Sequence, residues 1–346
     1  MVELNGKKIL VTFLMHLGDL TLTTPFIHAL RKAAPDAHIT MLVDEKLKDV
    51  VLFNPYLDEV VTIDKKGRDN SILSLWACSR HLSKLDFDVL INLHPNERCS
   101  FIDAMTSVKL RTGTTHKIFK WFWDVFTPLD RSMHAADMYL DVLQQLGVQD
   151  LSNNGLEIFP GEEHFLEAEL FWQEQNITDQ DKLIGFNIGS AVPTKRWPPE
   201  RFAEVADIFA AKGYKTVFFG GPMDEEMVAE ATGYMQTRPI IATGHFAIGG
   251  LAAAMRRCCL IITNDSGPMH VAISQKVPIV AMYGPSNPKL YGPYTKDAVI
   301  VTAQPPCQGC AGGMKHSCDD LQCMTRMTVK QVVEAADTML ERGVEK

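Results

Sequence analysis

The chain has 346 residues, more than one hydrophobic core usually supports, so we expect two domains. Hydrophobic residues make up 46% and charged residues 22% of the sequence, an ordinary globular composition, and the formal net charge of −8 argues against a nucleic-acid-binding protein. No apolar stretch approaches the roughly 20 residues of a membrane helix, and the polar start, Met1–Lys8, is unlike a signal peptide, so the cytoplasm is the expected compartment.

Short apolar runs alternate with amphipathic segments in the first half, which is the rhythm of a parallel sheet. The turn-rich stretch Gly147–Gly161 that follows is the predicted linker. The predicted elements before it are, in chain order, strand Lys8–Phe13, helix Leu20–Ala33, strand His38–Val43, helix Leu47–Phe53, strand Glu59–Ile63, helix Ile72–Lys84, strand Val89–Leu93 and helix Ala135–Leu146.

The same rhythm restarts after the linker. The predicted elements are strand Leu183–Asn187, helix Pro199–Lys212, strand Thr216–Phe219, helix Asp224–Met235, helix Ile248–Arg256, strand Leu260–Thr263, strand Val277–Tyr283 and helix Thr328–Arg342. We therefore predict an α/β protein of two doubly wound Rossmann-like domains, residues 1–160 and 161–346. The carboxyl ends of their strands should face a central cleft, where ligands bind in such sheets.

The most informative stretch runs from Leu260 to Ala272, where an apolar strand stops at small polar residues and a helix begins at Pro268. A helix start exposes unpaired N–H groups and the positive end of the helix dipole, so this turn is an outline of an anion site. His270, in the first turn, could add a donor to a phosphate. The alternative is that Asp265 or Ser266 merely caps the helix.

The loop after the first strand contains Gly18 and Asp19. It is not a Gly-x-Gly-x-x-Gly loop, which removes the main support for nicotinamide binding. Asp19 would project from the start of a helix into the cleft, unless it only serves as an N-cap.

Two loops of the second half also join a strand to a helix. In the first of them, Asn187–Glu200, Lys195 or Arg196 could reach a diphosphate, or the two could form a solvated basic pair. In the second, Gly220–Glu226, a carboxylate could accept hydrogen bonds from a sugar hydroxyl or simply complement the helix dipole.

Together these loops resemble those of the ADP-heptose:lipopolysaccharide heptosyltransferases, glycosyltransferase family 9, along the whole chain. The most specific part is Asn264–His270, which is similar to the family's D-[ST]-G-x-x-H signature, followed by the family-like Tyr283–Pro288. Gly18-Asp19-Leu20 fits as well. The resemblance implies the GT-B fold, with an acceptor-binding amino-terminal domain and a nucleotide-sugar-binding carboxyl-terminal domain.

The resemblance also implies roles for individual residues. Asp19 would be the general base, and Lys195 would pair with the donor phosphates as a second catalytic group. The donor pocket would consist of Ser190, Lys195, Glu225, Asp265, Ser266, Gly267 and His270. Ala191 stands where relatives often carry a second hydroxyl residue, so one donor contact departs from the pattern.

The activity that this resemblance implies is inverting transfer of a heptose from ADP-heptose to a hydroxyl of the lipopolysaccharide inner core. It would need no cofactor for catalysis, because Lys195, His270 and the helix start can stabilise the leaving diphosphate in place of a metal. Three alternatives stay open: a transferase of the same fold that uses another nucleotide sugar, a heptosyltransferase that modifies a protein such as an autotransporter, and a nucleotide-sugar-binding protein that is not an enzyme.

Basic residues of the first half are candidates for binding an anionic glycolipid acceptor: Lys65, Lys66, Arg68 and Arg98. The aromatic and basic stretch Lys117–Trp123 could in addition rest on the inner face of the inner membrane as a peripheral contact. The alternative is a solvated basic face above a core helix.

Four cysteines lie close together in the carboxyl-terminal part: Cys307, Cys310, Cys318 and Cys323. Thiolates at this spacing suit a structural zinc or iron site, and similar clusters occur in autotransporter heptosyltransferases that carry iron. Free thiols in a surface loop are the equally weighted alternative.

Overall fold

The structure, a computed structural model, describes residues 2–303, 318 and 320–344. It divides into two compact units, Met1–Phe159 and Pro160–Lys346. Each unit contains one six-stranded sheet with every strand pair parallel, so the predicted α/β class is confirmed.

The sheet of the first unit has the order β3-β2-β1-β4-β5-β6. Its strands are β1 (Lys8–Thr12), β2 (His38–Asp44), β3 (Glu59–Ile63), β4 (Phe87–Asn92), β5 (Val108–Gly113) and β6 (Val125–Phe126). Its helices are α1 (Leu17–Thr21), α2 (Thr24–Ala33), α3 (Ile72–Ser83), α4 (Glu97–Met105) and α5 (Ala135–Gln145), with 3₁₀ helices at Glu45–Val50 and Lys117–Phe122.

The sheet of the second unit has the order β12-β11-β10-β7-β8-β9. Its strands are β7 (Leu183–Asn187), β8 (Lys215–Phe219), β9 (Ile240–Ile241), β10 (Cys258–Asn264), β11 (Ile279–Met282) and β12 (Ala298–Val301). Its helices are α6 (Glu162–Glu174), α7 (Pro199–Ala211), α8 (Glu225–Tyr234), α9 (Ile248–Met255), α10 (Gly267–Ser274), α11 (Pro288–Tyr291), α12 (Gln322–Thr325) and α13 (Val329–Val344), with 3₁₀ helices at Pro193–Lys195 and Pro222–Asp224.

Both sheets follow the doubly wound order, in which the first and fourth strands of a unit are neighbours and the chain winds outwards from them in both directions. The loops that leave these two strands diverge, and sheets of this order usually bind ligands there, which corresponds to the carboxyl ends of β1 and β4 or of β7 and β10. Within the described residues, no helix combines the length and apolar character that crossing a bilayer would require.

The helix predicted at Leu20–Ala33 is in fact two helices, α1 and α2. Pro25 has no N–H to continue the ladder from Thr21, and the hydroxyls of Thr23 and Thr24 instead donate to the carbonyls of Leu20 and Thr21 at 2.7 and 2.8 Å. The break shortens α1 to a single turn that carries Asp19.

The helix predicted at Leu47–Phe53 is a 3₁₀ helix, Glu45–Val50, capped by the Asp44 carboxylate, which accepts the N–H of Lys46. Four strands were missed, β5, β6, β9 and β12, which lie towards or at the edges of the sheets. β6 and β9 have two residues each, too few for any periodic signal.

A fully buried carboxylate, Asp103 of α4, lies under the carboxyl ends of β1 and β4. Its Oδ2 accepts the hydroxyl of Thr12 at 2.9 Å, the amide of Asn92 at 2.5 Å and the weak Cys99 thiol at 3.8 Å. Burial raises the pKa of Asp103 from 3.8 to about 7, against the lowering effect of these hydrogen bonds and of the Arg111 charge.

This pKa predicts a pH-dependent stability. Because the folded state holds the Asp103 proton more tightly than the unfolded state, the free energy of unfolding should fall as the pH rises from about 4 to about 7, by about 4 kcal/mol for this group. Asp103→Asn keeps the side-chain shape and removes the titration. Urea unfolding of both proteins across this range should give a stability difference that changes with pH and levels off above pH 7; parallel curves would contradict it.

Candidate active site

The carboxyl ends of β7 and β10 lie side by side in the second unit, since Thr263 is paired with Asn187. On the other side of β10, Asn264 is paired with Met282 of β11. Three loops therefore emerge together, and they contain most of the residues that the sequence assigns to the donor pocket.

Two buried asparagines fix these loops. Asn187 donates through Nδ2 to Thr263 Oγ1 at 3.0 Å and to Ser266 Oγ at 2.8 Å. Asn264 donates to the Ile188 carbonyl at 2.7 Å and accepts the N–H of Trp197 at 3.0 Å. Both asparagines are absent from the sequence-based set, although each ends a strand at the predicted ligand-binding edge, which is the signal that could have found them.

Lys195 and Asp265 form an ion pair at this edge, with 2.7 Å between Nζ and Oδ2 and both side chains largely buried. The Ser286 hydroxyl donates to the same carboxylate oxygen, and the Ser190 hydroxyl donates to the Asp265 carbonyl at 3.4 Å. An ammonium has three N–H donors, so one carboxylate does not exhaust Lys195. The sequence placed these residues in one pocket, and the structure brings them together; Ser286 is an addition from the loop after β11.

Neither Asp265 nor Ser266 caps α10 with its side chain, contrary to the alternative that these residues only cap the helix. Ser266 occupies the N-cap position, yet no described side chain caps this helix, and the Ser266 hydroxyl accepts from Asn187 instead. Asp265 is engaged by Lys195. Pro268 supplies no N–H, so the Gly267 N–H and the helix dipole remain to meet an anion, with the buried His270 in the same turn.

Glu225 and its neighbour Asp224 have different surroundings. Asp224 is buried, and its Oδ2 accepts the N–H of Gly221 at 2.9 Å. Glu225 is exposed in the first turn of α8, where a Cβ at Gly244 would come within 2.6 Å of its Oε1. Asp224 thus holds the loop, while the carboxylate of Glu225 stays accessible.

Asp19 belongs to the first unit and lies in the first turn of α1, after β1. The N-cap of α1 is His16, so the interpretation of Asp19 as the N-cap is wrong. His94 follows β4, the neighbouring strand, and its ring lies 6.0 Å from that of Phe13. Burial lowers the pKa of His94 to about 4, with further lowering by the charges of Arg131 and His16, so a neutral imidazole adjoins this loop.

A family model described as glycosyltransferase family 9 (heptosyltransferase) matches residues 75–317. The chain belongs to this family. Its members are glycosyltransferases, so the protein is a transferase, and the predicted enzyme class is confirmed.

Individual relatives agree with this assignment. A solved structure of a family 9 glycosyltransferase from Veillonella parvula is 53% identical, with a TM-score of 0.94 and coverage of 99% of each chain. Lipopolysaccharide heptosyltransferase 3 of Escherichia coli is 24% identical over 82% of this chain and 84% of the relative. The structure of E. coli ADP-heptose lps heptosyltransferase II has a TM-score of 0.78 at 21% identity, covers 97% of this chain and 99% of that one, and confirms the predicted GT-B fold.

In this transferase, three of the four predicted acceptor residues, Lys65, Lys66 and Arg68, lie in the loop after β3, and the fourth, Arg98 of α4, donates hydrogen bonds to that loop. Arg98 donates to the Lys65 carbonyl and to Asn70 Oδ1, and Arg68 donates to Glu45 at 2.9 Å. Lys66 is exposed in the same loop. Their role in acceptor binding remains a prediction.

The predicted metal site lies partly outside the described residues, since Cys307 and Cys310 are not among them. Of the other two, the Cys318 thiol donates to the Asp320 carbonyl at 3.1 Å, and Cys323 is buried in the core, where a Cβ at Gly284 would come within 3.1 Å of its Sγ. Across the described ranges, no three potential ligands converge.

The ion pair generates a prediction about stability. Lys195→Met leaves Asp265 as a buried carboxylate without its cation and should destabilise the second unit by about 3 kcal/mol. The double variant Lys195→Met/Asp265→Asn should regain at least half of that loss. Urea unfolding followed by tryptophan fluorescence, to which the buried Trp172 and Trp197 of this unit contribute, measures both effects. An unchanged midpoint for the single variant would show that the pair contributes nothing.

Proposed function

We propose that the enzyme transfers a heptose from ADP-heptose to a hydroxyl of the lipopolysaccharide inner core, with inversion at the anomeric carbon and without a catalytic metal. The observation that carries this proposal is the Lys195–Asp265 pair beside the uncapped start of α10, at the carboxyl ends of two parallel strands. Both E. coli relatives are named as lipopolysaccharide heptosyltransferases, and one of the names includes ADP-heptose, which supports this choice of donor and acceptor.

The donor side must stabilise a leaving diphosphate. When the bond between the anomeric carbon and the phosphate oxygen breaks, its electron pair leaves with ADP. Lys195, His270 and the N–H of Gly267 are the groups we assign to this charge, and preorganised donors of this kind are worth several kcal/mol in a water-excluded site. Asp265 holds Lys195 in place and therefore belongs to the donor pocket without taking part in the chemistry.

The acceptor side must remove a proton. In the proposed step, the acceptor oxygen forms a bond to the anomeric carbon from the face opposite the leaving group, and its proton passes to the Asp19 carboxylate. A weak base suffices because the hydroxyl loses its proton late, as the bond to an oxocarbenium-like carbon forms. General base catalysis of this kind contributes roughly 10²- to 10⁴-fold to the rate.

These roles predict the behaviour of Asp19→Asn. With ADP-heptose, kcat should fall by about 10²-fold or more, because the base is lost, while the dissociation constant for ADP stays within about twofold. Near-normal transfer by Asp19→Asn would exclude this residue as the base.

The donor and the acceptor are identified by separate assays. Release of ADP, UDP or GDP from a panel of nucleotide sugars identifies the donor, and product analysis separates a glycolipid from a protein acceptor. We expect turnover with ADP-heptose alone and the same kcat in excess EDTA.

We also propose that the first unit rests on an anionic membrane surface. The 3₁₀ helix Lys117–Phe122 exposes 95% of Trp121 and 61% of Ile118, while α3 exposes 78% of Leu73 near its start. Lys117 and Lys120 of the same 3₁₀ helix are exposed as well. Aromatic and apolar side chains next to lysines suit the interface of a bilayer that carries negative charge. Trp123 of the same stretch is buried and donates to the Thr112 carbonyl at 3.0 Å, so only part of it is available.

Vesicle binding tests this contact. Vesicles that contain lipid A should retain the enzyme at low salt, and Trp121→Ala should weaken the partition coefficient about tenfold, because a large apolar group no longer enters the interface. Met223→Ala, which truncates another exposed apolar side chain in the second unit, is the matched control and should have no effect. Equal binding by both variants would exclude this surface.

A further inference from the structure

The Lys65 side chain, only 12% exposed, is occupied by the protein itself. Its Nζ donates to the carbonyls of Leu14 at 2.9 Å and Met15 at 2.8 Å, and it pairs with the Asp44 carboxylate at 3.1 Å. An ammonium has three N–H donors, and these contacts account for all of them. Lys65 was predicted from the sequence to bind the acceptor, but the contacts of its ammonium within the protein indicate a structural role.

These contacts join the carboxyl ends of three neighbouring strands. Lys65 follows β3, Asp44 is the last residue of β2, and Leu14 and Met15 lie in the loop between β1 and α1. In the order β3-β2-β1, strands are about 4.8 Å apart, so the extended lysine side chain crosses β2 and reaches the loop beyond it. That loop leads directly to Asp19.

Both ends of this link are fixed. The Asp44 carboxylate is buried, and its other oxygen accepts the N–H of Lys46 at 3.2 Å, which holds it in place. The backbone of Lys65 is held as well, because its carbonyl accepts a hydrogen bond from the Arg98 guanidinium. A buried charge with this complete set of partners is costly to displace, because each partner would lose its hydrogen bond without access to water.

We infer that Lys65 is a positioning residue, which holds the Leu14–Met15 backbone and thereby sets where Asp19 meets the acceptor hydroxyl. This inference rests on the proposed role of Asp19 as the base. A displacement of about 1 Å in a catalytic group can cost about 10²-fold in rate, so the loss of two backbone contacts in this loop is sufficient to affect turnover.

Kinetics distinguish positioning from acceptor binding. Lys65→Met keeps the apolar stem and removes the ammonium, and it should lower kcat about 10²-fold while the acceptor KM stays within about threefold. Lys65→Arg retains the charge and several donors and should recover part of the kcat. Lys48→Met removes an exposed lysine of the same unit and should leave both constants unchanged. Asp44→Asn/Lys65→Met, which avoids an unpaired buried carboxylate, should reproduce the kcat loss even where the single variant folds poorly.

Hydrogen exchange tests the same inference without any turnover. Backbone amides of residues 14–19 should exchange at least tenfold faster in Lys65→Met than in wild type or Lys48→Met, while amides of the second unit keep their rates. If wild type transfers no heptose, the proposed function fails, yet the exchange rates still report on the link. A tenfold rise in acceptor KM with unchanged kcat and unchanged exchange would overturn the inference in favour of acceptor binding, and so would unchanged values throughout.

Discussion

The parallel pairing of β7 with β10 is the constraint on which the proposed donor site depends. Its register places Asn187 beside Thr263, and the loops that follow the two strands run in diverging directions. Asn187 and Asn264 fasten these loops to each other, so that Lys195 meets Asp265 where α10 begins. A shift of one residue in this register would turn the side chains of the shifted strand, such as Asn187 of β7, to the other face of the sheet.

In the first unit, buried ionisable side chains hold the strand ends and the loop after β1. β1 and β4 occupy the positions equivalent to β7 and β10, and buried Asp103 receives hydrogen bonds from the last residue of each. Lys65 adds a second tie from β3 across β2 to the loop that follows β1. Ionisable groups buried in this way are costly unless they are well partnered. The partners of Asp103 are side chains at two strand ends, and those of Lys65 are two loop carbonyls and the Asp44 carboxylate.

Basic side chains in this protein can hold the fold together or bind an anionic ligand, and the residue type alone does not distinguish these two roles. Lys65 and Arg98 look from the sequence like cations that await an anionic acceptor, but their described donors go largely to carbonyls and side-chain oxygens of the same unit. For Lys195 the two uses are compatible, because the pair with Asp265 occupies only one of the three ammonium donors. A structural partner and a ligand do not exclude each other on a group with several donors.

The sequence by itself determined the α/β class, the two doubly wound halves, the family and the loops that contain the proposed donor residues, because apolar periodicity and strand-to-helix turns are local properties of the chain. It missed β6 and β9, which have two residues each, and it did not find the break between α1 and α2 around Thr23-Thr24-Pro25. Only the tertiary structure decided that Asp265 pairs with Lys195, that Ser286 joins them and that Lys65 faces inwards. These contacts link residues far apart in the chain, and strand order, which no local pattern encodes, brings them within hydrogen-bond distance.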